Sequence, residues 1–233
     1  METLLVCCET IRDEVIQAMA RLGLGYSVRF LEGGLHQSPE RLFGRLRGVL
    51  SEADGVCGRL LLALGWCGGG LEGLTTGAYE TVVPLTDDCL TFLMGSRAAR
   101  LEASRPATYF LTRGWLRHEN SAVREHERIR TLFSTETAAL ISRTIFAGYQ
   151  RLGFLDTGAY SLEEAEADVG RMAEELELDI ARLKTDPSWL EELLTGPHDD
   201  PSRFLRLPPG SRLSLARWRL IFSRRGGIEP EGK

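Results

Sequence analysis

The sequence predicts an α/β fold: a mostly parallel, Rossmann-like β-sheet flanked by helices. Three observations carry this. Short apolar runs such as Leu4-Leu5-Val6 and Leu60-Leu61-Leu62-Ala63-Leu64 alternate with stretches whose apolar residues recur at helical spacing. The connections are long enough for right-handed β-α-β crossovers. Four of the apolar runs lead within a few residues to a chemically capable side chain, as expected where parallel strands end together.

Composition narrows the partners. The 233 residues are 43% hydrophobic and 26% charged, ordinary values for a globular chain, and carry a net charge of −5. An acidic chain lacks the basic footprint that nucleic acid or an anionic membrane surface requires. A C-terminal stretch with Arg217, Arg219, Arg224 and Arg225 is the local exception. Trp218 and Phe222 interrupt it, so it reads as a solvated element face. No segment has the roughly 18 to 20 consecutive apolar residues of a membrane span, and the N-terminus lacks the basic start of a signal peptide. The expected location is therefore cytoplasmic. Five cysteines, an odd number, without a secretory signal point to reduced thiols.

The elements follow in order. Residues 3 to 7 form a first strand ending at Cys8, and residues 9 to 19 a helix with Ile11, Val15, Ala18 and Met19 on one face. A second strand, 27 to 31, leads through Glu32-Gly33-Gly34 to His36. Ser38-Pro39 starts the next helix, serine as cap and proline in the first turn. The third strand, 60 to 64, runs into Gly65-Trp66-Cys67-Gly68-Gly69-Gly70 and a short helical stretch at 71 to 74. The fourth, 81 to 85, precedes Asp87-Asp88-Cys89 and an aspartate-capped helix over 90 to 100. A fifth strand spans 107 to 112.

From His118 to about Gln150 the chain reads as one long charged helix or two. A strand (151 to 155), a helix (162 to 177), a strand (178 to 183), a helix to Leu194 and a strand (203 to 207) complete the pattern. The expected division is an α/β half over 1–117 carrying the site, and a helical segment plus second β-α-β half over 118–233. The similar order of elements hints at a duplication.

Ligands of parallel sheets bind beyond the carboxyl ends of the strands, where strand order reverses. Cys8, His36, Cys67 and Cys89 each follow a different strand, so they are the candidate metal ligands. Three thiolates and an imidazole make a zinc set; three cysteines alone suit a [4Fe–4S] cluster with one open iron. Asp87 and Asp88 would complete or orient either shell, Asp88 also as a catalytic group. Glu9 and Arg12, one turn apart, are candidates for binding a substrate carboxylate or form a plain surface pair. Gly68, Gly69 and Gly70 before a helical stretch are candidates for cradling a phosphate, although the nucleotide-binding lysine and glycine spacings are missing. Cys7 and Cys57 lie within strands and read as core. His118, His126 and His198 read as surface residues. Taken one at a time, each site cysteine also fits a packed thiol.

Cys8-Glu9-Thr10-Ile11-Arg12-Asp13-Glu14, Gly34-Leu35-His36, Trp66-Cys67-Gly68-Gly69-Gly70-Leu71, Asp88-Cys89-Leu90 with Met94-Gly95-Ser96-Arg97, and Thr108 to Trp115 together resemble family 1638 of the domains of unknown function. The similarity runs from the first strand to Pro208-Pro209-Gly210. It implies no established activity. An association with corrinoid-dependent methyltransferases implies one-carbon metabolism. Where the family pattern has His-Asp-Cys, this chain has Asp87-Asp88-Cys89, which leaves the role of position 87 open. The expectation is a zinc-dependent transferase acting on a small molecule, with a cluster enzyme or a metal-binding accessory protein of a corrinoid methyltransferase system as alternatives. A crevice for an organic ligand, with packed cysteines, is the third.

Overall fold

In a computed structural model, which describes residues 2–214 and 216, the apolar runs become strands. They are β1 (Thr3–Cys8), β2 (Ser27–Leu31), β3 (Arg59–Ala63), β4 (Glu80–Pro84), β5 (Thr108–Leu111), β6 (Arg151–Asp156), β7 (Asp179–Lys184) and β8 (Phe204–Leu207). The first four pair in parallel in the order β2-β1-β3-β4, and β8 closes that sheet antiparallel to β4. A second parallel sheet has the order β5-β6-β7. The α/β expectation therefore holds. The two sheets differ in strand number and order, and they do not divide at 117/118: β5 pairs with β6, and β8 returns to the first sheet.

The central strands are apolar on both faces because both faces are covered. Leu4, Val6, Leu60 and Leu62 pack under helix α2 (Pro39–Ala53), whose Leu42, Leu46, Val49 and Leu50 point inward. Leu5, Cys7, Leu61 and Ala63 face the other way, onto Val15 and Ala18. Each fully buried leucine contributes roughly 1.5–3 kcal/mol of transfer free energy. Ser38 caps α2 by accepting from the Arg41 N–H at 3.4 Å, with Pro39 in the first turn, as its sequence predicts. Cys7 and Cys57 are core residues, as expected, but Cys57 lies in the turn before β3 and not within a strand.

Several boundaries move. Cys8 is the last residue of β1, and a 3-10 turn (Glu9–Ile11) precedes helix α1 (Arg12–Arg21). Residues 71–73 form a turn, so the expected helical stretch after the glycines is absent. The helix expected over 90 to 100 is two, α3 (Cys89–Leu93) and α4 (Arg97–Glu102). Gly95 separates them with φ +74°. After α5 (Arg113–Leu116), the charged region forms α6 (Ala122–Leu132) and α7 (Thr135–Phe146), parted at the Ser134 cap. Helices α8 (Leu162–Leu176) and α9 (Ser188–Thr195) lie where the amphipathic spacing puts them. No helix among the described residues is long and apolar enough to cross a membrane. Arg217, Arg219, Arg224 and Arg225 lie outside the described residues.

Candidate functional site

In the order β2-β1-β3-β4 the chain reverses direction across the sheet between β1 and β3. Cys8 closes β1, Cys67 follows β3, and Cys89 opens α3 after β4. All three line one cavity of about 590 Å³. The opposite wall comes from the second sheet and its connection: Thr108, Tyr109, Phe110 and Trp115 line the same space.

Backbone fit explains why these loops meet. A Cβ on Gly65 would stand 2.5 Å from Asp88 Cα, so only glycine lets the two loops lie in contact. The Trp66 N–H donates to the Thr86 carbonyl and the Cys67 N–H to the Asp87 carbonyl, each at 2.9 Å. Cys67 itself takes φ +46°, a conformation costly for a side-chain-bearing residue, and it is held there by this pairing. Likewise, a Cβ on Gly114 would stand 2.6 Å from the Glu9 and Thr10 carbonyl oxygens. The Thr112 hydroxyl donates to the Thr10 carbonyl at 2.5 Å. These contacts fix α5 on the turn that follows β1.

Thr10 is the residue that sequence reasoning overlooked. Its buried hydroxyl lies 3.0 Å from Cys8 Sγ and 3.7 Å from Cys89 Sγ, touching both sulfurs. A threonine two residues after a strand gives no signal of that kind. The Cys89 thiol is raised well above its ordinary value, first by burial and then by the neighbouring Cys8 and Cys67. Cys67 is pushed up to about 12 by burial, with Cys8 and Asp88 adding to it. Burial also raises Cys8, against the hydrogen bond from Thr10. Burial thus disfavours the charged form at all three cysteines. Among the described residues no group of three or more His, Cys, Asp or Glu side chains stands ready to hold one metal ion.

His36 lines the cavity from the turn after β2, its ring 5.2 Å from Trp115. Burial lowers its pKa, and His118 adds to the fall while Asp88 opposes it. His118 stacks on Trp115 at 5.2 Å, and the Trp115 indole N–H donates to the Tyr109 hydroxyl at 2.9 Å. The histidines expected at the surface are otherwise placed. His126 is buried between Ser142 and Glu175, and His198 is buried with its ring 2.8 Å from the Leu193 carbonyl. Their elements sit on cores that periodicity in a charged or proline-rich stretch does not reveal.

Asp88 caps α3 by accepting from the Thr91 N–H at 2.6 Å and pairs with Arg100 at 3.5 Å. Asp87 pairs with Arg97 at 2.6 Å, its carboxyl raised mainly by burial. Arg100 lies over the Phe110 ring at 3.9 Å and supplies positive charge to the wall. Glu9 and Arg12 pair at 3.4 Å in solvent and do not line the cavity. Of the three glycines, Gly68 lines it, whereas Gly70 makes room for Leu42. With no helix behind them they present no helix N-terminus to a phosphate.

The fold and site thus define an α/β protein with a thiol cluster at the carboxyl edge of a parallel sheet. The chain belongs to the family described as Protein of unknown function (DUF1638), whose model matches residues 30–194. That span includes His36, Cys67 and Cys89 and excludes Cys8, Glu9 and Arg12. No curated protein and no solved structure matches the chain.

Proposed function

We propose that Cys8, Cys67 and Cys89 act as thiolate ligands of a metal centre whose open side faces the cavity, in an enzyme or enzyme component acting on a small organic substrate. The observation that carries this reading is the gathering of three thiols from three strand ends at the reversal of strand order, beside a cavity of about 590 Å³. Cys8 raises the pKa of Cys67 and Cys89, and Cys67 that of Cys89, so a thiolate set here calls for a cation beside it. The aromatic and leucine-rich walls suit an apolar body, and Arg100 suits a carboxylate on it.

Two metals fit the donor set. Zinc would take the three sulfurs and His36, or a substrate sulfur in its place, and would lower the pKa of a substrate thiol for attack on a methyl or acyl donor. A three-cysteine [4Fe–4S] cluster would take Cys8, Cys67 and Cys89 and leave one iron open to the cavity. It would supply a Lewis-acidic iron. The link to corrinoid-dependent methyl transfer rests on the family resemblance, and cytoplasmic residence on the sequence pattern.

Metal content of protein purified without oxygen, beside a Cys67→Ala variant, tests the proposal. About one zinc per chain, lost in the variant, supports the first metal. A brown protein with about four irons per chain, bleached in the variant, supports the second. Metal-free protein from both preparations overturns the metal centre.

A further inference from the structure

The second sheet has its own carboxyl edge, and a buried carboxyl stands there. Glu14, on α1, is only 4% exposed. Its Oε1 accepts from the Thr157 hydroxyl at 3.2 Å, while Oε2 is buried with no hydrogen-bond partner among the described residues. Thr157 follows β6 and Thr185 follows β7, so the two hydroxyls mark the ends of adjacent parallel strands. Glu14, Thr157 and Thr185 line a cavity of about 150 Å³, separate from the thiol cavity. Its remaining surface is largely apolar, with Ala18, Leu93 and Leu190 among the walls.

A buried carboxylate needs a compensating positive charge or a proton. The neighbouring cations are already engaged. Arg113 pairs with Asp13 at 2.7 Å, and Arg21, at the cavity, pairs with Glu191. Gln17 donates to the Gly158 carbonyl at 2.6 Å. Asp13 adds negative charge nearby, and Tyr160 is a further neighbour. A lone carboxylate is too little charge for a divalent metal ion, which gathers several anionic oxygens. An inorganic monovalent ion would leave the leucine-lined half of the cavity against water.

We propose that this cavity is a binding site for a short aliphatic primary ammonium ion, its head on Glu14 and the threonine hydroxyls and its alkyl chain against Ala18, Leu93 and Leu190. The free carboxylate oxygen takes the ammonium N–H, and the apolar wall takes the carbons. Nothing in the thiol site enters this assignment.

The test is the thermal unfolding midpoint of the full chain at about pH 8, titrated with n-propylammonium chloride, with sodium, potassium and ammonium chlorides at equal ionic strength as controls. At roughly tenfold above Kd, n-propylammonium should raise the midpoint by on the order of 3 °C. Glu14→Gln, which keeps the shape and removes a buried charge, should abolish the rise. No rise, or an equal rise in Glu14→Gln, overturns the site. An equal rise with potassium or ammonium overturns the assignment to an alkylammonium ion. Calorimetric titration of the folded Glu14→Gln variant repeats the test without heating, and undiminished heat of binding there overturns it.

Discussion

Glu14 makes a quantitative prediction about folding itself. Burial raises its carboxyl from an ordinary 4.5 to about 7, against its own backbone N–H, the Thr157 hydroxyl and the pull of Arg113, with Asp13 reinforcing the rise. The folded state therefore holds a proton that the unfolded chain has already released. Stability from this group is fully present below about pH 4.5 and is lost as the pH climbs towards 7, because the native state binds more protons across that window. At about 1.36 kcal/mol for each pH unit, the ionised carboxyl costs the fold about 3 kcal/mol at pH 8 relative to pH 4. Other groups add their own pH dependence, so the quantity to measure is the difference between wild type and Glu14→Gln in urea unfolding at the two pH values. The amide cannot ionise, so the stability of Glu14→Gln relative to wild type should rise by about 3 kcal/mol from about pH 4 to about pH 8. If the difference stays constant within about 0.5 kcal/mol, Glu14 ionises in the fold as it does in water, and the account of its burial is wrong.

Three further outcomes are expected. Gly65→Ala places a methyl against the Asp88 backbone, which cannot give way as a side chain would, so it should cost roughly 1–3 kcal/mol in urea unfolding; an unchanged midpoint would show that the two loops are not in contact. Thr10→Val removes the hydroxyl shared by Cys8 and Cys89 while keeping the volume, and should cost about 1 kcal/mol in metal-free protein, with Thr10→Ser retaining most of the stability. On the proposed metal centre, Cys57→Ala should keep the metal and Cys67→Ala lose it, since Cys57 packs with Leu4 and Val49 away from the cavity; parallel loss in both would turn the thiol cluster into a stability effect.

The strand ends are legible because a doubly covered parallel sheet writes itself as short continuous apolar runs, and because β1 ends at Cys8 while Cys67 and Cys89 follow β3 and β4 within one short loop. Pairing was harder to read. Nothing in Thr108 to Leu111 says that it joins β6 and not β4, and nothing in Phe204 to Leu207 says that it returns antiparallel to the first sheet. Those choices depend on which faces remain uncovered after folding, a global property. The buried histidines show the same limit. His126 sits among Arg124, Glu125, Glu127 and Arg128, and only the packing of α6 on α7 and α8 puts it inside.

The opposite wall of the thiol cavity follows from that pairing. Because β5 belongs to the second sheet, Tyr109, Phe110 and Trp115 face the cysteines across a gap instead of extending the first sheet beside them. Each sheet then has a carboxyl edge turned towards elements of the other: the thiols of the first meet β5 and α5, and Thr157 and Thr185 of the second meet α1. Helix α1 and the turn before it join the two places, with Thr10 touching the thiols and Glu14 lining the smaller cavity one turn further on.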